Sequence, residues 1–258
     1  MRTLIIALVI AALPGLVSAE LVVGDANGSY LAIVDPATGG LTEYASLGTP
    51  WIVSLAYDPL TGKAYCSDTS EGVNQILELD PETGATTLVV QVQDFYTTIH
   101  ALAVHPTTGV LYAIDNYNAI LYRVDIVAGE LVHIGSLGVY WMSGADFDPE
   151  TGELYGCIGG MDSTGGLYTI DIETGAATQV AATERLMGIA FHEDGQLYGV
   201  DNMWWPDPAG IYRIDKVTGE AEEIGSYPDN NFMSIESIPL GVVRTESMSF
   251  TDIKELFQ

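Results

Sequence analysis

The carboxylates that could do chemistry in this chain are regular in position. Asp25, Asp68, Asp115 and Asp201 each close a strand-like segment and open a loop-like one: Asp25-Ala-Asn-Gly, Asp68-Thr-Ser-Glu-Gly, Asp115-Asn-Tyr-Asn and Asp201-Asn-Met-Trp. Oxygen donors grouped this way suit a hard cation such as calcium. An Asp heading a turn equally suits the capping of backbone amides. Two more acids, Asp146 and Glu236, stand where matching segments carry Ala56, Ala103 and Ala190. A carboxylate among small apolar residues costs free energy unless paired or solvated. Both are therefore expected to reach water, as a polar lining, as metal ligands or as an acid/base pair.

Aromatic side chains gather in the same irregular stretches: Trp51, Tyr96, Tyr117, Trp141, Trp204 and Trp205. Flat rings beside Asp and Asn suit stacking on sugars, contact with a protein, or packing of the loops on themselves. Other chemistries find no support in the spacing. His105 and His192 stand where other segments carry a turn Asp, His133 lies in an outer segment, and only His100 nears the aromatic stretches. No Ser-His-Asp order, zinc-ligand spacing, phosphate-binding Gly loop or EF-hand loop occurs.

The elements that must position these residues follow from the turns. Sequences of the form Asp-Pro-x-Thr-Gly, or close variants, occur nine times in two interleaved series. One starts at Asp35, Asp80, Asp125, Asp171 and Asp215, the other at Asp58, His105, Asp148 and His192. Within each series the spacing is 43 to 47 residues, a period that marks a repeat architecture. Each unit holds four short segments of alternating or β-branched apolar residues, separated by turn residues, and so predicts a four-stranded antiparallel meander. A lone meander leaves apolar faces open, whereas a ring of them buries both, as in a β-propeller.

Leu21 to Asp35 aligns without a gap to Leu111 to Asp125, so the repeat begins at a second strand, and Phe232 to Ile238 matches a first strand. The C-terminal strand is expected to complete the N-terminal blade, giving five blades of about 44 residues over 20–241. The prediction is an all-β, five-bladed propeller with strand 1 innermost. The regular turns join strands 1 to 2 and 3 to 4 on one face. The 2-to-3 loops and the crossovers to the next blade occupy the other face, which holds the candidate acids and aromatics.

Composition bounds the rest. The formal charge is −27, from 8 Lys plus Arg against 35 Asp plus Glu, a balance that repels nucleic acid and anionic lipid and suits cations or basic partners. Residues 1–19 read as a signal peptide: Arg2, an apolar stretch too short to span a bilayer, then Val17-Ser18-Ala19 before Glu20. The expectation is a secreted, periplasmic or cell-surface monomer without membrane insertion. Cys66 and Cys157 fall in blades that are not neighbours and are expected to remain free, buried thiols. Residues 242–258, with Phe250, Ile253, Leu256 and Phe257 on one helical face, predict a short amphipathic helix or a sorting or docking segment.

The units "Asp-Pro-x-Thr-Gly-x-Leu-Tyr" and "Leu-Tyr-x-Ile-Asp-x-x-Thr-Gly" resemble the secreted bacterial propeller repeats of the YVTN, NHL and quinoprotein-like group, within the WD40-like superfamily. The resemblance covers Leu21 to about Pro239 and implies the fold; these repeats host unrelated activities. Where quinoprotein repeats carry a Trp after the Thr-Gly, this chain has Leu41, Thr86, Leu131, Ala177 and Ala221, and no quinone cofactor is implied. The functional expectation is an exported, non-enzymatic binding or scaffold propeller for a protein or carbohydrate ligand. The alternative is a calcium-assisted hydrolase or lyase acting on carbohydrate or lactone at the axial mouth through Asp146 and Glu236.

Overall fold

A computed structural model describes residues 18–26, 29–48, 51–70, 73–94, 96–159, 164–202 and 208–241. Most of the expected signal peptide, the expected tail helix, and Trp204 and Trp205 lie outside the described residues.

The chain forms five four-stranded antiparallel sheets. Blade 1 comprises β1 (Glu20–Asp25), β2 (Tyr30–Val34) and β3 (Leu41–Ser46), with β20 (Phe232–Ile238) as its inner strand. Blade 2 runs from β4 (Ile52–Asp58) through β5 (Lys63–Asp68) and β6 (Gln75–Leu79) to β7 (Thr86–Gln91). Blade 3 is β8 (Ile99–Val104), β9 (Leu111–Asp115), β10 (Ile120–Asp125) and β11 (Glu130–Ser136). Blade 4 is β12 (Met142–Phe147), β13 (Leu154–Ile158), β14 (Leu167–Ile170) and β15 (Ala177–Ala181). Blade 5 is β16 (Gly188–Phe191), β17 (Leu197–Val200), β18 (Ala209–Ile214) and β19 (Ala221–Tyr227). Inner strands touch in ring order β4, β8, β12, β16, β20 and back to β4, so the propeller is closed.

Burial explains the changing sequence pattern across each blade. The inner strand β12, Met142-Ser-Gly-Ala-Asp-Phe147, is buried at every position, whereas the outer β11 leaves Glu130, Val132, His133 and Ser136 exposed. Five apolar clusters fill the five junctions between neighbouring blades, each built from both sides. Cys66 belongs to the cluster between blades 1 and 2, Cys157 to that between blades 4 and 5, and both are free and buried. Burial pushes the Cys157 thiol up to about 12, and Cys66 is raised for the same reason.

All nine predicted turns place their Gly in the left-handed region, with φ between 68° and 81°. The amide of the third residue bonds the leading Asp carboxylate, as from Ala37 to Asp35 and from Leu60 to Asp58, both at 2.9 Å. His105 does the Asp's work with its ring, since Nδ1 accepts the Thr107 amide at 3.3 Å. Between strands 3 and 4 every blade has a register shift at the same place, which adds the twist that outer strands need. Blade 1 closes through β20 pairing antiparallel with β1, with Glu20 opposite Ile238 and Val23 opposite Ile235.

Candidate functional site

The face opposite the regular turns is built from the 2-to-3 loops and the crossovers. Each rim Asp there is engaged by donors of its own loop, a neighbouring strand or a crossover. Asp115 accepts the amides of Thr98, Tyr117 and Asn118 through Oδ1, each at 3.1 Å, and Asn118 Nδ2 through Oδ2 at 2.6 Å. Asp68 accepts Ser70 N at 2.9 Å and Gln75 Nε2 at 3.3 Å. Asp25 accepts Asn230 Nδ2 at 2.7 Å and Asn231 N at 3.1 Å, tying the loop of blade 1 to the crossover from blade 5. Asp201 accepts the Gly210 amide and, at 3.1 Å, the Tyr212 hydroxyl; burial raises its carboxyl to about 6. The candidate calcium ligands stand in four different blades with oxygens turned to amide and hydroxyl donors, and the structure does not bring them together. No group of three or more His, Cys, Asp or Glu suited to a metal occurs among the described residues.

The aromatics behave differently. Tyr96 comes from the crossover into blade 3, Tyr117 from the 2-to-3 loop of that blade, and Tyr140 and Trp141 from the crossover out of it. Asn118 Nδ2 donates to Tyr96 O at 2.8 Å, Trp141 N to Asn116 O at 3.0 Å, and Asn116 N to Thr98 O at 3.1 Å, so the three loops are tied together. Tyr117 and Trp141 meet edge to face, with ring centroids 6.4 Å apart. All four side chains remain exposed, from Trp141 at 46% to Tyr96 at 66%. Trp51 is also exposed, at the matching crossover position between blades 1 and 2. Trp51 and Trp141 share a positive φ, 77° and 67°, rare and costly for a bulky residue. Tyr140 escapes the sequence reading of candidate ligand residues; its place beside Trp141 was the available signal.

The exposed large apolar side chains sort by face. Every exposed aromatic among the described residues lies on the loop face, whereas the exposed aliphatics, such as Leu60, Leu88, Val127 and Val217, lie in regular turns or outer strands.

The axis corrects another expectation. Asp146 and Glu236 do not open onto a water-filled channel: they retain 8% and 6% exposure. Asp146 accepts Phe147 N at 2.7 Å and, across the junction to blade 5, Phe191 N at 2.6 Å. Glu236 accepts Ser237 N at 2.8 Å and the backbone amide of Tyr57 in blade 2. An innermost strand has no neighbour on its axial edge, so its amides there need acceptors, and these two side chains supply them. Burial raises Asp146 to about 7 and, with the Asp146 charge, lifts Glu236 well above the usual carboxylate range. Toward the loop face the axis is plugged by Ala26, Val53, Met187 and Met233, and a cavity of about 10 Å3 there is lined by Val53, Met187 and Met233 with Ser54, Ser143 and Ser234. Such a space admits about one water molecule. His100 is the extra residue of a register shift at the start of β8, and burial lowers its imidazole to about 4, so it stays neutral.

With fold and site in view, comparison places the chain among relatives. A repeat family described as "Repeat of unknown function (DUF6923)" matches residues 100–237, more than half of the sequence. The chain belongs to this family. The DUF6923 match begins in the inner strand of blade 3 and ends in β20, spanning the aromatic patch at Tyr117 and Trp141 as well as Asp146 and Glu236. No curated protein matches. Among solved structures, a chain in the crystal structure of a nidogen/laminin complex is similar over 85% of this chain and 98% of its own, at a TM-score of 0.60 and 13% identity. A structural genomics protein of unknown function from Bacteroides thetaiotaomicron is similar over 87% of this chain and 62% of its own, at a TM-score of 0.55 and 15% identity. These likenesses show the propeller fold.

Proposed function

We propose that this protein is an exported, non-enzymatic binding propeller whose loop face takes a protein ligand, with the aromatic patch of blade 3 as the centre of contact. The observation that carries the reading is the sorting of exposed aromatics onto that face. Large rings left in water and held by hydrogen-bonded loops are the residues that dominate protein interfaces, because they bury much area at little entropic cost. The net charge of −27 favours a partner with a basic surface and speeds its approach at low salt. The nidogen/laminin complex supports the same direction, since there a protein of this fold takes part in a protein assembly. Burial of Asp146 and Glu236 and the apolar plug weigh against hydrolysis at the axial mouth.

The test compares wild type with Tyr117→Ala/Trp141→Ala as immobilised baits for extracellular proteins, with an oligosaccharide array as the second arm. The expected result is a protein retained by wild type with at least a tenfold loss in the double variant, as for a hot-spot pair. Retention unchanged by the substitutions, or binding confined to oligosaccharides, would overturn the reading.

A further inference from the structure

The axial strands of a propeller raise an accounting problem that this chain solves in an unusual way. At one level of the ring the five inner strands present equivalent backbone amides, at Tyr57, Val104, Phe147, Phe191 and Ser237. Each acid takes the amide of its own next residue and the equivalent amide one blade further on: Phe147 and Phe191 for Asp146, Ser237 and Tyr57 for Glu236. Two side chains therefore hold four of the five amides and clasp blade 4 to blade 5 and blade 1 to blade 2. The other three blades carry Ala56, Ala103 and Ala190 at the matching position, which leaves space for the acids.

The arrangement buries two like charges in one layer. Among the described residues, neither acid makes an ion pair with Lys, Arg or His. The strands packed on β12 bring His100 from β8, Tyr112 and Asp115 from β9, and Tyr155 and Cys157 from β13, while β16 brings no titratable group. Those packed on β20 bring Glu20 and Asp25 from β1, Tyr57 and Asp58 from β4, and Tyr198 from β17. None supplies a counter-charge, and Asp148 adds a further repulsive one to Asp146. The amides favour ionisation; desolvation and mutual repulsion oppose it, and two carboxylates in a shared interior cannot both ionise as readily as surface acids.

We propose that Asp146 and Glu236 form a proton-binding pair that sets the pH range over which the ring stays tightly closed. The pair keeps its protons where surface carboxylates have already lost theirs, and releasing them places buried negative charge at the axis. The sign follows from linkage. A carboxyl with a raised pKa in the folded state binds more protons folded than unfolded between its two pKa values, so stability falls as pH rises through that window. For Asp146 the window runs from the ordinary Asp value, near 4, to about 7.

Carboxyl-carbon NMR titration of the full chain, at a salt concentration that screens surface repulsion, reads this directly. At least one of the two carboxyls is expected to titrate about two pH units above the surface Asp residues. Asp146→Asn should lower the Glu236 midpoint by about one unit and flatten the fall in denaturant midpoint between mildly acidic and mildly alkaline pH. Titration of both carboxyls together with the surface acids overturns the proposal, as does a pH dependence untouched in the variant. If the variant does not fold, the wild-type titration alone decides.

Discussion

At single residues, the backbone of Trp51 and Trp141 says more than their side chains. A bulky residue with φ near +70° holds roughly 1–3 kcal/mol of strain, and here it recurs at the same crossover position in two blades. In both blades the side chain carried on this strained backbone is an exposed indole. Trp141→Asn, which tolerates this region, should leave stability equal or raise it by up to about 1 kcal/mol while weakening ligand binding. Trp141→Val, β-branched in the same backbone, should lower it by about 1–2 kcal/mol. Urea denaturation of the two variants checks the difference; equal losses in both would mean the indole, not the backbone, carries the effect. The sequence pointed to the aromatics because they interrupt the repeat. It also pointed to Asp146 and Glu236, but to the wrong surroundings. Alignment tells that an acid replaces Ala; only the ring shows that axial amides await an acceptor there.

Among elements, the turns explain why the fold was legible. Asp, Thr and Gly at fixed offsets encode a local geometry independent of the rest of the chain, and the period between them encodes the blade. Yet the two turn series, alike in sequence, differ in what they touch. In all five 3-to-4 turns the Gly lies against backbone of the preceding blade, in or just after its outer strand: Gly39 on Ile224, Gly84 on Ser46, Gly129 on Val89, Gly175 on Gly135 and Gly219 on Ala182. A Cβ on Gly84 would overlap the Ser46 carbonyl oxygen, whereas one on Gly152, in a 1-to-2 turn, would meet nothing within 4 Å. Gly152→Ala therefore pays only for the left-handed backbone, about 1–2 kcal/mol. Gly84→Ala also forces the junction between blades 1 and 2 apart, and should cost about 3 kcal/mol or more. Denaturant midpoints of the two variants measure the contrast, and equal costs would remove the turns from blade packing. Loops resist such reading because no repeat constrains them; the ties from Asn118 to Tyr96 and from Trp141 to Asn116 join residues whose partnership depends on where the crossovers land.

For the whole ring, the count of turns records how it closes. Five blades of four strands need ten turns on the regular face, and the chain has nine. The missing one lies between β20 and β1, where Ile238 stands opposite Glu20 and the strands meet only through hydrogen bonds and the packing of buried residues such as Leu21 and Phe232. If closure is noncovalent but otherwise equivalent to the other junctions, the seam can be moved. A permuted chain would carry an Asp-Pro-Glu-Thr-Gly turn between Ile238 and Glu20 and begin instead in the turn of blade 3, at Val127, which is 99% exposed. New ends at an exposed turn tip are tolerated when few contacts are lost, and the added turn has four natural counterparts joining strands 1 and 2. The permutant should fold to the same circular dichroism spectrum and unfold in one transition within a few degrees of wild type, because a ΔΔG of 1 kcal/mol moves Tm by only about 2–4 °C at this size. Unfolding in two separated transitions would show that blades 1 and 2 depend on an open seam between β20 and β1, and that the junctions are not interchangeable.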